Sequence, residues 1–112
     1  MIAKNRQEHP TWPEPYLRAW SQGSKELDLN FLPQLDRPSH WQERVAAIRC
    51  PALLISANPG LGGIVTPEVE RWVSKTNDNF RIINFPGVGH HVRFAAHAAY
   101  MQALKAFLLN VA

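Results

Sequence analysis

The run Ala52-Leu53-Leu54-Ile55-Ser56-Ala57 constrains this chain more than any other feature. It reads as continuously apolar rather than alternating, the pattern of a strand covered on both faces, as in a parallel sheet. Pro51 fits the first position of such a strand, and Asn58-Pro59-Gly60-Leu61-Gly62-Gly63 has the composition of a loop. A second run, Phe80-Arg81-Ile82-Ile83-Asn84-Phe85, stops at Pro86-Gly87. Between the two, Thr66 is placed to cap a helix with Pro67 at its first position and Glu68 and Glu70 in its first turn, where acids suit the helix dipole. Val69, Trp72 and Val73 form that helix's apolar stripe, and Asn77-Asp78-Asn79 ends it. Strand, crossover helix and strand predict a right-handed parallel unit and an α/β fold.

The flanking segments are read in the same way. Ser39, with Gln42 three residues on, has the spacing of a capping box before a short amphipathic helix carrying Trp41, Val45 and Ile48. A closing helix is expected from about His97 to Leu109, with Tyr100, Leu104, Phe107, Leu108 and Val111 on one face. Residues 1–40 differ in texture: they hold Pro10, Pro13, Pro15, Pro33 and Pro38, which chop helices into short pieces. A helix is expected near Pro15–Gln22, ending around Gly23, and another near Lys25–Leu32. Trp12, Tyr16, Leu17 and Trp20 can share one helical face, suited either to packing on something larger or to contacting a substrate as part of a lid.

A chain of 112 residues has the length of one small domain, and 46% hydrophobic with 19% charged residues is an ordinary globular composition. The strand count does not fit that length. Two strands that both look central, with no third candidate before residue 40, predict the C-terminal part of a larger α/β domain. The net charge of +3 comes without a basic run, which argues against nucleic-acid binding. Cys50 is the only cysteine, so no intrachain disulfide forms. No stretch approaches the roughly 18 apolar residues of a membrane span, and the polar start offers no signal peptide. The expected setting is the cytoplasm.

The segment richest in chemistry is Pro86-Gly87-Val88-Gly89-His90-His91. Two glycines permit a tight turn, and a histidine projects from the loop beyond a strand's C-terminal end, where ligands of open α/β sheets gather. A histidine there can act as a general base near neutral pH; the plainer role for His90 is to cap the following turn. The order of pieces extends the argument. The Trp41–Ile48 helix leads through Arg49-Cys50-Pro51 into the first strand. Gly62-Gly63-Ile64-Val65-Thr66-Pro67-Glu68 follows, then Phe85-Pro86-Gly87-Val88-Gly89-His90 and a closing amphipathic helix. Over residues 41–112 this order and spacing resemble the C-terminal portion of α/β-hydrolase-fold enzymes. Residues 1–40 resemble the cap of such enzymes more weakly.

The resemblance implies a partial α/β-hydrolase fold: a short parallel sheet with flanking helices over residues 41–112, preceded by a cap-like helical segment over residues 1–40. It implies that His90 is the triad histidine, taking the serine proton and passing it to the leaving group. His91 is then a neighbour that packs, hydrogen-bonds at the surface or contacts substrate. Arg93 is a surface charge or a partner for a carboxylate. The cap aromatics Trp12, Tyr16 and Trp20 are candidate substrate contacts that hint at an apolar acyl or ring group.

The sequence departs from the family in two places. Where many relatives carry Gly-Asp-Pro, this chain reads Ala57-Asn58-Pro59. An asparagine accepts a hydrogen bond from histidine but cannot stabilise the imidazolium by charge, and such a change in a triad costs roughly four orders of magnitude in turnover. Asn58 is thus a remnant of the acid position, or the acid comes from an earlier strand. No serine stands in Gly-x-Ser-x-Gly, the elbow that exposes the nucleophile; Ser56 lies inside a buried strand, and Cys50 reads as structural. The expected function is therefore the C-terminal part of an esterase- or lactonase-like serine hydrolase, inactive alone. Its alternatives are a non-catalytic binding module of the same fold and half of a split hydrolase.

No cofactor is expected. A metal among His90, His91 and His97 lacks the carboxylate or cysteine that would complete a familiar spacing, and Gly60-Leu61-Gly62-Gly63 lacks the Lys-Ser/Thr of a phosphate loop. Expected partners are a small-molecule substrate once the site is completed, and a complementing chain or a second copy. Leu53, Leu54, Ile55, Ile82 and Ile83 are expected to lack covering partners.

Overall fold

The computed structural model describes residues 2–36 and 39–111, without the side chains of residues 34–36. The chain divides into two compact units, Met1–Ser39 and His40–Ala112.

The first unit contains α1 (Ile2–Glu8), α2 (Glu14–Glu26) and a 3-10 segment, Leu29–Asp36. Leu17 and Trp12 are buried, and a buried polar pair ties α1 to α2: the Asn5 amide donates to the Ser21 hydroxyl at 2.7 Å. The Arg6 guanidinium donates to the Trp12 carbonyl at 2.7 Å and pairs with Glu14. Trp12 lies in the turn before α2 rather than on it, stacked 3.9 Å from the His9 ring and edge-on to Trp20 at 5.7 Å. The aromatic face is thus built by a turn and a helix together.

Two helix limits differ from expectation. Helix α2 passes through Gly23, because one helical glycine costs only about 1 kcal/mol relative to alanine and Gly23 does not adopt the left-handed conformation that stops a helix. The segment expected as a helix at Lys25–Leu32 breaks at Leu27, where the backbone is extended (φ −66°, ψ 123°). Asp28 accepts from the Asn30 amide at 2.9 Å and starts the tighter 3-10 turn, which contains Pro33.

The second unit runs α3 (Trp41–Ala47), β1 (Ala52–Ala57), a 3-10 turn Pro59–Leu61, α4 (Pro67–Thr76), β2 (Phe80–Phe85), α5 (Val92–Ala95) and α6 (His97–Val111). Strands β1 and β2 pair in parallel with Ala52 opposite Phe80 and Ala57 opposite Phe85. Mixed helices around a short parallel sheet make this a small α/β fold. Helix α4 begins as expected: Thr66 accepts from the Val69 amide at 3.3 Å with Pro67 in the first turn. Val73 is fully buried, with Val69 and Trp72 half-buried beside it.

Helix α3 corrects the capping-box reading. Its cap position is held by His40, which makes no side-chain cap bond. A capping side chain must belong to the residue just before the first helical one, so Ser39 stands one place too early. The Trp41 and Trp72 rings meet edge to face with 5.2 Å between their centroids. On α6, Tyr100, Leu104 and Phe107 are half-buried, whereas Leu108 and Val111 are exposed, so the apolar face is covered over only part of its width. Leu53, Leu54, Ile55, Ile82 and Ile83 are all half-buried, and among the described residues the sheet has two strands. No helix among the described residues is long and apolar enough to cross a membrane.

Candidate functional site

Parallel strands deliver their following loops to the same sheet edge, and here both loops meet. The loop after β1 turns tightly through Pro59–Leu61, and Gly62 ends that turn at φ +99°, a conformation few other residues adopt. The loop after β2 lies directly against it. The Asn58 backbone amide donates to the Val88 carbonyl at 2.9 Å, and the Asn58 side-chain amide donates to the Pro86 carbonyl at 3.0 Å. The approach is closest at Gly89, where a β-carbon would stand 2.2 Å from the Leu61 carbonyl oxygen. Glycine is needed at 89 for proximity, not for backbone freedom. Gly87 has open space around it and no positive φ, so the tight turn does not require it.

His90 emerges from this contact, exposed, at the rim of a cleft of about 340 Å³. The ends of both strand connections line the cleft: Ile55, Ser56 and Ala57 from β1, Ile64 and Val65 from the loop beyond it, and His90, His91 and Val92 after β2, with Arg93 and Tyr100 completing it. The His90 and His91 rings meet edge to face at 5.3 Å, and His91 stacks on Phe94 at 6.0 Å. The His91 carbonyl accepts from the Phe94 and Ala95 amides at 3.0 Å each and so starts α5. It is therefore His91, not His90, that occupies the cap position of the next turn. The Arg93 guanidinium lies 4.7 Å above the Phe94 ring.

The remaining candidate residues have definite places. Asn58 has both ends of its side chain engaged: Nδ2 with Pro86, and Oδ1 accepting from the Gly60 amide at 2.8 Å. Among the described residues, no ion pair or hydrogen bond joins His90 to a carboxylate. Trp12, Tyr16 and Trp20 belong to the first unit. Cys50 is an exposed free thiol. Among the described residues, no group of three or more His, Cys, Asp or Glu side chains is placed to hold a metal ion.

A polar network that the sequence analysis does not anticipate joins β1, β2 and α4. The buried Ser56 hydroxyl donates to the Glu70 carboxylate of α4, and Asn84 Nδ2 donates to Ser56 Oγ at 2.8 Å and to Glu70 Oε1 at 3.3 Å. This engages Ser56 as a link between strand and helix. The signal was present: Ser56 and Asn84 are the polar residues facing each other across the strand register, and opposed residues share one face of a sheet.

Comparison with protein-family models, curated proteins and solved structures returned no match for this chain.

Proposed function

We propose that this chain carries the histidine side of a serine α/β-hydrolase site acting on esters or related bonds, with His90 as its general base. The observation that carries the reading is the placement of His90. It is exposed, beyond the C-terminal end of a parallel strand, on the rim of a cleft that the neighbouring strand also lines. An imidazole there can remove a proton from a hydroxyl brought into the cleft and return it to a leaving group. The serine must come from outside these 112 residues, because no Gly-x-Ser-x-Gly occurs among them. The chain alone is then silent, since the covalent step has no nucleophile.

The test has two arms. The 112-residue chain, given a 4-nitrophenyl ester, should show no turnover above its own His90→Ala variant. Once combined with a serine-bearing segment, His90→Ala should lower kcat by about 10⁴-fold or more, the scale of removing a triad histidine. Turnover by the isolated chain that depends on His90, or a completed enzyme indifferent to His90, overturns the proposal. The engagement of Asn58 with Pro86 and Gly60 favours one second reading, a non-catalytic binding module, for which ligand binding without turnover is the expected outcome.

A further inference from the structure

Asn58 makes five hydrogen bonds, three within its own loop and two across to the loop after β2. Its backbone amide donates to the Val88 carbonyl at 2.9 Å, and its carbonyl accepts from Leu61 at 3.0 Å and from Gly63 at 2.9 Å. Its side chain accepts from Gly60 through Oδ1 at 2.8 Å and donates to the Pro86 carbonyl through Nδ2 at 3.0 Å. The Gly60 and Pro86 partners have opposite polarity. One is an N–H, which needs an acceptor, and the other is a C=O, which needs a donor. A primary amide supplies both at once, and an ionised carboxylate supplies acceptors only. The loop held by the Pro86 and Val88 contacts ends in His90. It lies so near its neighbour that even a β-carbon at Gly89 would overlap the Leu61 carbonyl.

We propose that Asn58 is a positioning residue whose side-chain amide latches the His90 loop onto the loop after β1, and that it works there as a hydrogen-bond donor. Asparagine at this place is then a requirement of the latch rather than a weakened acid. The inference takes its functional meaning from the reading of His90 above, but the latch itself is a structural claim with its own test.

An Asn58→Asp variant separates the alternatives because its donor is pH-dependent. When protonated, the new carboxyl donates to Pro86 and accepts from Gly60, so the latch closes. When ionised, it turns an oxygen toward the Pro86 carbonyl, and the latch opens. Amide hydrogen exchange at residue 58, whose N–H is bonded to Val88, reports closure directly. The Ala52 and Asn77 amides, bonded to Asn79 and Val73 at the opposite end of the sheet, serve as internal references. After correction for intrinsic exchange, wild-type protection at residue 58 should be constant from pH 3 to pH 8. In Asn58→Asp it should fall roughly tenfold at pH 7, about what loss of one good hydrogen bond gives, and recover as the carboxyl is protonated. In Asn58→Ala it should be low throughout.

Three results overturn the proposal. The first is protection in Asn58→Asp that stays at the wild-type level at pH 7, above all if the His90 imidazole then titrates a unit or more higher, the mark of a carboxylate paired with it. The second is protection retained in Asn58→Ala. The third is an equal loss at Ala52 and Asn77, which would make Asn58 a general scaffold residue. None of these readouts uses turnover, so a failure of the ester experiment leaves them unchanged.

Discussion

Each end of the two-stranded sheet is fastened by an asparagine, and the two fastenings differ in what they leave exposed. At the N-terminal end, the buried Asn77 side chain donates to the Val45 and Ile48 carbonyls at 2.8 Å each, and its oxygen accepts from the Asn79 amide at 2.9 Å. Asn79 adds a bond to Ile48 at 3.2 Å, and the Ala52 amide closes the end on the Asn79 carbonyl at 2.9 Å. The Val45 carbonyl in the last turn of α3 and the Ile48 carbonyl just beyond it thereby gain side-chain donors, at a helix end whose carbonyls lack partners within the helix. At the C-terminal end, the half-buried Asn58 performs the same exchange between two loops, one of which presents an exposed histidine over a cleft. One side-chain chemistry anchors a helix at one end and aims a loop at the other. Burial and the neighbouring groups, rather than residue type, separate the structural end from the candidate working end.

The sharpest way to break the working end is Gly89→Ala. The added methyl overlaps the Leu61 carbonyl, and forced overpacking of this kind costs about 3 kcal/mol. Urea unfolding should show that loss, while Gly87→Ala, with open space around it, should stay within about 0.5 kcal/mol of wild type. Equal effects at the two glycines would remove the close approach as the reason for the motif. At the structural end, Asn77→Ala removes three side-chain hydrogen bonds, although the Val45 carbonyl keeps the Ile48 amide and the Ile48 carbonyl keeps the Asn79 side chain. It should cost about 2 kcal/mol in the same measurement, since each such bond is worth about 0.5–1.5 kcal/mol. Asn77→Asp should not restore the loss at neutral pH, because a carboxylate has no donor for those carbonyls.

These two asparagines also show what could be read beforehand. Both strands were legible to within a residue, as were the Thr66 cap and the stop of α4 in the Asn77-Asp78-Asn79 cluster, because each is written in adjacent residues: an apolar run, a proline, a turn cluster. The clamps join partners 28 to 32 positions apart. Such contacts leave no period in the sequence, so Asn77 read only as a helix stop and Asn58 only as a substituted acid. For the same reason the sequence shows Glu70 only as an acid suited to the helix dipole, whereas the structure has it accepting the Ser56 hydroxyl. His90 was visible because glycines and a strand end frame it. Its relation to the Asn58 latch was not, because that depends on how closely two loops approach.

A smaller effect sharpens the contrast at the start of α4, which follows the working-end loop. Thr66→Ala removes the acceptor of the Val69 amide and should cost about 1 kcal/mol, the usual worth of a helix cap, measured by thermal unfolding.

The smallest expected effect concerns pH. The Glu68 carboxyl is held below its ordinary range, first by its own backbone N–H, then by the Thr66 hydroxyl; a small loss of hydration opposes this, and the Arg71 charge adds a smaller favourable contribution. A carboxyl whose pKa is lower folded than unfolded binds more protons in the unfolded chain. Its contribution is therefore complete above the unfolded value and is lost as pH falls through the folded one. Glu68→Gln should lower Tm slightly at pH 7 and not at all once both states are protonated. The site is fully exposed, so the difference should also shrink in high salt. Asn77 and Asn79 do not titrate, so the structural end should pass through the same acid range unchanged in hydrogen exchange. A loss of protection at the Ala52 amide that follows the Glu68 titration would show that the two ends are coupled through α4 rather than fastened independently.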